Sequence, residues 1–309
     1  MQRAFVLAVL IALAGASLPA AAYLERLPQA GKPVLPPPGV VDVEKVKDNL
    51  FVLRGGGGNT GVFITAAGVV VVDTKYPGWG RPILEKIRTL TDKPVTMIIN
   101  THTHFDHTGS NAEFPATIEY VAHEGTAANL ARAKCEPVTN CAAFQGENAK
   151  FLPKRTFKDK LTLFSGKDQI DLYHFGRGHT NGDTFVVFPA ARAMHAGDMF
   201  PRQQMPFIDV ANSGGSAVEF GPTLQKAVST LKGVDTVVGG HTATPVPWSD
   251  FTTYTDFYND FLKDAQAAQK KGTSLDDFVK TYKVADKYKG FRVDANSARA
   301  NAQAIFGGK

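Results

Sequence analysis

The stretch Asn100–Asn111 reads NTHTHFDHTGSN and follows a short apolar, strand-like run. It carries three of the chain's eight histidines, with an aspartate among them. In an extended segment, residues two apart point to the same side, so we expect His102 and His104 to bind one metal ion together. Asp106 and His107 follow where the chain turns, and we expect them to face a second ion beside the first.

Three later segments repeat this arrangement, in which a ligand-type side chain stands at a turn after an apolar strand. They are Gly178-His179-Thr180, Gly197-Asp198-Met199 and Gly239-Gly240-His241-Thr242. Ligands on strand ends are held stiffly, as a preorganised metal site requires. Imidazole and carboxylate ligands without thiolate favour zinc, and iron or manganese is compatible. The alternative is a set of unrelated surface histidines. That interpretation would explain a single Gly-His-Thr, but it explains seven such residues at similar turns less well. His123, His174 and His195 lack these neighbours and are predicted to pack in the core or face solvent.

The succession His-x-His-x-Asp-His, Gly-His-Thr, Gly-Asp and Gly-His resembles the metallo-β-lactamase-fold hydrolases in order and spacing, from about residue 51 to residue 242. The resemblance implies an αββα sandwich, two mixed sheets flanked by helices, with the metals at one edge of the sheets. It implies a first site of His102, His104 and His179, a second of Asp106, His107 and His241, and Asp198 as a bridge. It also gives Asp73 the role of supporting the histidine loop without binding metal.

Two metal ions about 3.5–4 Å apart lower the pKa of a bridging water toward neutrality. The resemblance therefore implies two Zn²⁺ per chain and a bridging hydroxide that attacks a carbonyl carbon. Asp106 is the candidate catalytic residue, because it can orient this nucleophile or accept its proton. We expect hydrolysis of a small amide or ester, with a β-lactam or lactone ring favoured.

Two alternatives stay open. Typical β-lactamases of this fold have cysteine or serine where Asp198 stands, so a thioester hydrolase of glyoxalase II type is the second hypothesis. A non-catalytic periplasmic metal-binding protein is the third, and it is of a different class.

The segment Phe200–Ser216 follows Asp198 and is predicted to run over the metal edge. Within it, Arg202 is a candidate for a bidentate contact with a substrate carboxylate. The alternative is an arginine that faces only solvent. The apolar residues Met205–Ile208 either line a pocket or pack internally.

The first 22 residues are predicted to be a signal peptide, with a basic start, an apolar stretch and small residues before the cleavage point. A retained membrane anchor is the alternative. Residues 23–40 are predicted to form a proline-rich leader, and residues 41–309 are predicted to form a single hydrolase domain with a helical C-terminal extension. We therefore expect a periplasmic or secreted protein without stable membrane insertion.

The net charge of +5 is spread along the chain. No basic stripe of the kind that binds nucleic acid is present, so a small-molecule substrate is expected. The sequence leaves the oligomeric state open.

Cys135 and Cys141 are predicted to form a disulfide, as is usual in an exported protein, with metal binding or free thiols as alternatives. The irregular region from Cys135 to Asp159 is interpreted as an insertion or a lid.

Two local patterns predict elements near the histidine cluster. Val69–Asp73 is a β-branched run typical of a strand buried on both faces. Pro82 is predicted to open a helix with Ile83 and Ile87 on one face. From Ser249 onward the apolar spacing is helical.

Overall fold

The computed structural model describes residues 41–309, and the predicted signal peptide and leader lie outside them. A first sheet has seven strands in sequence order. Neighbours are antiparallel from β1 to β4 and parallel from β4 to β7. The strands are β1 Asp42–Lys47, β2 Leu50–Arg54, β3 Thr60–Ile64, β4 Val69–Val72, β5 Val95–Ile99, β6 Glu119–His123 and β7 Arg155–Phe157.

A second sheet has six strands in the order β13-β12-β11-β10-β9-β8. Only the β11–β12 pair is parallel. Its strands are β8 Lys160–Leu163, β9 Ile170–Tyr173, β10 Phe185–Phe188, β11 Ala193–His195, β12 Thr236–Val238 and β13 Val246–Pro247.

Within residues 41–309, seven α-helices flank the sheets or join their strands. They are α1 Gly80–Arg88, α2 Phe105–Thr108, α3 Glu124–Leu130, α4 Ala217–Thr230, α5 Trp248–Lys270, α6 Leu275–Thr281 and α7 Ala295–Phe306. Helix α1 begins two residues before Pro82, so the predicted start was late, but Ile83 and Ile87 are buried on one face as expected. No helix within residues 41–309 has the length and apolarity needed to cross a membrane.

Strand β4 shows why the sheets stack in layers. All four of its valines are fully buried. Because side chains alternate along a strand, Val70 and Val72 pack into the core between the two sheets. Val69 and Val71 point to the other side and pack with Ile83 of α1. The prediction of a strand buried on both faces is confirmed.

The outer face of the second sheet is covered by the C-terminal helices. Val187 and Met194 of the sheet share one apolar cluster with Phe220 of α4, Phe251 of α5 and Ile305 of α7. Helices therefore cover both outer faces, and the predicted αββα sandwich is confirmed.

Candidate metal centre

The seven candidate ligands lie at one edge of the sandwich, on loops that leave four strands. His102 and His104 follow β5, and α2 carries Asp106 and His107. His179 follows β9, Asp198 follows β11, and His241 follows β12. Side-chain nitrogen and oxygen atoms of all seven fall into three overlapping clusters that are each suited to one metal ion.

The first cluster contains His102, His104 and His179, whose contributing ring nitrogens all lie within 4.8 Å of one another. All three side chains are almost fully buried. Nε2 of His179 is 2.9 Å from Nδ1 of His104. Nε2 of His102 is buried and has no hydrogen-bond partner among the described residues.

In His104 and His179, the ring nitrogen that points away from the cluster shows which ring atom carries the proton. Nδ1 of His179 donates to the Phe207 carbonyl oxygen at 2.6 Å, and Nε2 of His104 donates to Asp209 at 3.1 Å. In the neutral rings the two nitrogens that face each other therefore carry lone pairs. Two lone pairs 2.9 Å apart repel, and a cation between them removes this repulsion. The donor set therefore fits a divalent metal ion.

The second cluster contains Asp106, His107 and His241. Nε2 of His241 lies 3.3 Å from Oδ2 of Asp106 and 3.4 Å from Nε2 of His107. Gly58 packs on the His107 ring so closely that a Cβ at this position would overlap it.

Asp198 lies between these two clusters and forms the third one with His102 and His107. Its Oδ2 is 3.5 Å from Nε2 of His179 and 3.2 Å from Nε2 of His241. Its Oδ1 is 3.4 Å from Nε2 of His107. A Cβ at Gly240 would overlap this oxygen, which explains the second glycine of the Gly-Gly-His segment. One carboxylate thus faces ligands of both predicted sites.

The two clusters differ in charge. Burial, reinforced by the neighbouring histidines, holds the pKa of His102 well below its usual value and lowers that of His179 to about 4. Burial also opposes charge on His107 and His241, but the adjacent carboxylates outweigh it. The pKa of His107 is therefore raised well above its usual value and that of His241 to about 9. Burial disfavours the Asp198 carboxylate, yet these histidines keep its pKa well below normal. Neutral imidazoles and ionised carboxylates are the ligand forms that metals bind.

Asp73 holds the histidine loop, in agreement with the resemblance. Its Oδ1 accepts from the Thr101 amide at 2.8 Å, and its Oδ2 accepts from Nδ1 of His107 at 2.7 Å and from the Thr101 hydroxyl at 2.6 Å. The Thr101 oxygen in turn lies 3.0 Å from Nδ1 of His102. One carboxylate thus directs the tautomers of a histidine in each cluster.

Three supporting groups were missed from sequence. Asp209 and the Phe207 carbonyl orient His104 and His179, and both belong to the loop after Asp198. Lys75 is fully buried, and its ammonium donates to the carbonyls of Leu53 and Gly58, both at 2.8 Å. Burial lowers its pKa to about 7. No local sequence pattern marks any of these three groups.

A cavity of about 220 Å³ opens onto the clusters. His104, Asp106, His179, Asp198 and His241 line it together with Val138, Pro201, Arg202, Gln204 and Phe207. Arg202 is exposed, and within residues 41–309 its side chain has no carboxylate at salt-bridge distance. The lining residue Val138 comes from the irregular region after Cys135, which contributes this one side chain to the cavity.

The remaining histidines lie apart from the clusters. His123 and His174 stack with ring centroids 3.8 Å apart, and Nε2 of His195 donates to the Asn59 carbonyl at 3.1 Å. Cys135 and Cys141 form the predicted disulfide.

Residues 53–241 match the model of the metallo-beta-lactamase superfamily. This match covers more than half of the chain and includes all seven candidate ligands, the last of which, His241, is its final residue. The chain therefore belongs to this superfamily.

Two curated relatives are similar to parts of the chain. A metallo-beta-lactamase type 2 of Elizabethkingia meningoseptica is 29% identical over 172 residues, which are 51% of this chain and 61% of the relative. The 2,4-dinitroanisole O-demethylase subunit alpha of Nocardioides sp. (strain JS1661) is 32% identical over 147 residues, 45% of this chain and 41% of the relative. The chain thus matches less than two thirds of either relative.

Solved structures share the fold. DIM-1 metallo-beta-lactamase superposes with a TM-score of 0.55 at 20% identity, covering 72% of this chain and 98% of that one. The sec-alkylsulfatase Pisa1 from Pseudomonas sp. gives 0.67 at 15% identity, covering 85% and 50%.

Proposed function

We propose that the chain is a zinc-dependent hydrolase with two Zn²⁺ ions, acting on a small amide or ester, with a β-lactam or lactone ring favoured. The observation that carries this proposal is the convergence of ring nitrogens and carboxylate oxygens in two clusters joined by Asp198. Superfamily members are metal-dependent hydrolases, which supports the reaction type.

In this proposal His102, His104 and His179 hold the first ion, and Asp106, His107 and His241 hold the second. Asp198 contributes to both. When bound, such an ion pair supplies Lewis acidity and lowers the pKa of water. The donor set lacks thiolate, which favours zinc, with iron or manganese compatible.

The chain's own groups then orient the reaction. Asp73, Asp209 and the Phe207 carbonyl fix which nitrogen carries the proton in four of the ligand histidines, His102, His104, His107 and His179. Asp106 lines the cavity, and its side chain is 15% exposed, so its carboxylate can accept a proton from an incoming nucleophile. The neighbouring His107 and His241 outweigh the effect of burial and keep its pKa below the usual value, so it is ionised at neutral pH. Arg202, exposed at the cavity wall, is proposed to contact a substrate carboxylate.

A thioester hydrolase is the second candidate function. It is favoured by the carboxylate of Asp198, since typical β-lactamases of the fold carry cysteine or serine there.

The disulfide between Cys135 and Cys141 supports a periplasmic or secreted location, because disulfides persist in oxidising compartments. Cell fractionation tests the location.

Metal analysis combined with a substrate panel tests the function. The panel contains a chromogenic cephalosporin, a lactone, an aryl ester and a thioester. It also contains an aryl ether and an alkyl sulfate, which correspond to the named activities of a relative and a structural neighbour. We expect about two zinc ions per chain and turnover that a chelator abolishes and zinc restores. Stoichiometric metal without turnover of any member would instead support a metal-binding protein.

A further inference from the structure

A groove of about 980 Å³ adjoins the metal-centre cavity. One wall is the loop Gln204–Asn212, and the other is formed by α7 and the segment before it, including Arg292, Ala300 and Ala304. Gln204 and Phe207 line both this groove and the smaller cavity over the metal ligands. The two spaces therefore adjoin each other at these side chains.

Phe207 marks the junction. Its ring centroid lies 6.1 Å from that of His104 and 5.9 Å from that of His179. Even so, 60% of its surface is exposed. Within residues 41–309 only one other large apolar side chain is comparably exposed, Phe164 at 40%, and it does not line either space. An exposed aromatic ring beside a reactive centre offers apolar surface that a ligand can cover.

Hydrogen bonds between the two walls of the groove fix their relative position. Nδ2 of Asn301 donates to the Pro206 carbonyl at 2.9 Å, and the Met205 amide donates to the Arg292 carbonyl at 2.9 Å. The Arg292 amide donates back to the Gln203 carbonyl at 3.0 Å. Substrate binding thus requires little ordering of this loop.

The lining is apolar near Phe207, with Met205, Pro206 and Ile208 on the loop and Ala300 and Ala304 on the helix. Its two carboxylates are already engaged. Asp209 accepts from His104 and from the Ser213 hydroxyl, and Asp294 accepts from the first amides of α7. Near Phe207 the groove therefore presents apolar surface, and its lining also includes the cationic side chains of Arg292 and Lys309.

We infer that this groove binds an extended apolar acyl group attached to the bond that is cleaved at the metal centre, and that Phe207 selects for it. The inference rests on the proposed hydrolytic function. It names the substrate class as acyl compounds with a chain or ring that reaches past Phe207. Each methylene buried in the groove is expected to contribute a factor of about four.

The test compares p-nitrophenyl butanoate with p-nitrophenyl octanoate on the zinc-loaded protein. We expect kcat/KM to be at least tenfold higher for octanoate, below the limit of roughly 200-fold that four fully buried methylenes would give. Phe207→Ala is expected to reduce this ratio at least fivefold. Ala300→Trp fills the groove from an exposed helix position, and it should also reduce the ratio at least fivefold. Phe164→Ala, the matched exposed phenylalanine outside the groove, should leave the ratio unchanged.

Binding provides a readout that is independent of turnover. Calorimetric titration with octanoate and butanoate should give at least tenfold tighter binding of octanoate, a difference that Ala300→Trp removes. If no member of the substrate panel and neither ester is hydrolysed but this difference holds, the hydrolase proposal fails and the groove assignment survives. If the esters are hydrolysed at equal rates and both carboxylates bind alike, the groove assignment is wrong. Circular dichroism of each variant confirms that it is folded.

Discussion

Replacing Asp73 by asparagine tests whether one carboxylate sets the tautomers of both metal clusters. Asparagine has the same shape, and it tolerates the positive φ of 63° found at this position better than alanine does. Its Oδ1 can still accept from the Thr101 amide. In place of Oδ2, however, an amide NH₂ group would face both the Thr101 hydroxyl and Nδ1 of His107.

The magnitude follows from these contacts. The Thr101 hydroxyl can rotate, but His107 must give up its Nδ1 proton, and the proton then moves to Nε2. That atom faces Asp198 at 3.4 Å and is the nitrogen proposed to bind metal. Loss of such a supporting carboxylate typically weakens metal binding about 10- to 100-fold, or roughly 1.4–2.7 kcal/mol. The mismatched buried group should also lower the free energy of unfolding of the metal-free protein by about 1–3 kcal/mol.

Competition with a chromogenic chelator measures the affinity of each zinc, and denaturant unfolding measures stability. We expect the second zinc to be weakened more than the first, because Asp73 contacts His107 directly and His102 only through Thr101. Asp235→Asn removes an exposed carboxylate and serves as the control. A variant that binds both ions within twofold of the parent would refute the assignment of these tautomers to Asp73.

Three further predictions concern groups outside the proposed ligand set. Lys75→Met leaves the Leu53 and Gly58 carbonyls without their buried donor. This change should lower the free energy of unfolding in denaturant by about 1–3 kcal/mol for each carbonyl. An unchanged transition midpoint would contradict this expectation. Burial, with a contribution from the charge of His174, lowers the folded-state pKa of His123 to about 4. The stability that this shift provides is complete above the unfolded value of about 6.5 and is lost as the pH falls toward 4. Thermal melts of His123→Asn should show a shallower loss of stability over this range, and parallel curves would count against the assignment. Cys135→Ser opens a loop with a sequence separation of 6 and should cost roughly 2 kcal/mol. Its zinc content should stay the same, and lost zinc would favour the thiolate alternative.

The sequence by itself determined the sandwich and the position of the candidate metal centre. The β4 valines are buried on alternate sides because side-chain alternation is a local property of a strand. The candidate ligands lie at turns after apolar strands, and strand ends gather at one edge of a sheet whatever their exact partners. Local patterns of this kind predict which residues approach the edge, and the superfamily resemblance supplied their order.

Only the tertiary structure decided how each ligand is held and what adjoins the centre. Asp209 orients His104 across 105 positions, and Asn301 fixes the Pro206 carbonyl across 95. Lys75 reaches two carbonyls that no spacing rule relates to it. Contacts between distant positions depend on how loops pack after the sheets have formed. Such packing leaves no periodic signal in either segment, so these partners and the groove beside Phe207 appear only when the chain is folded.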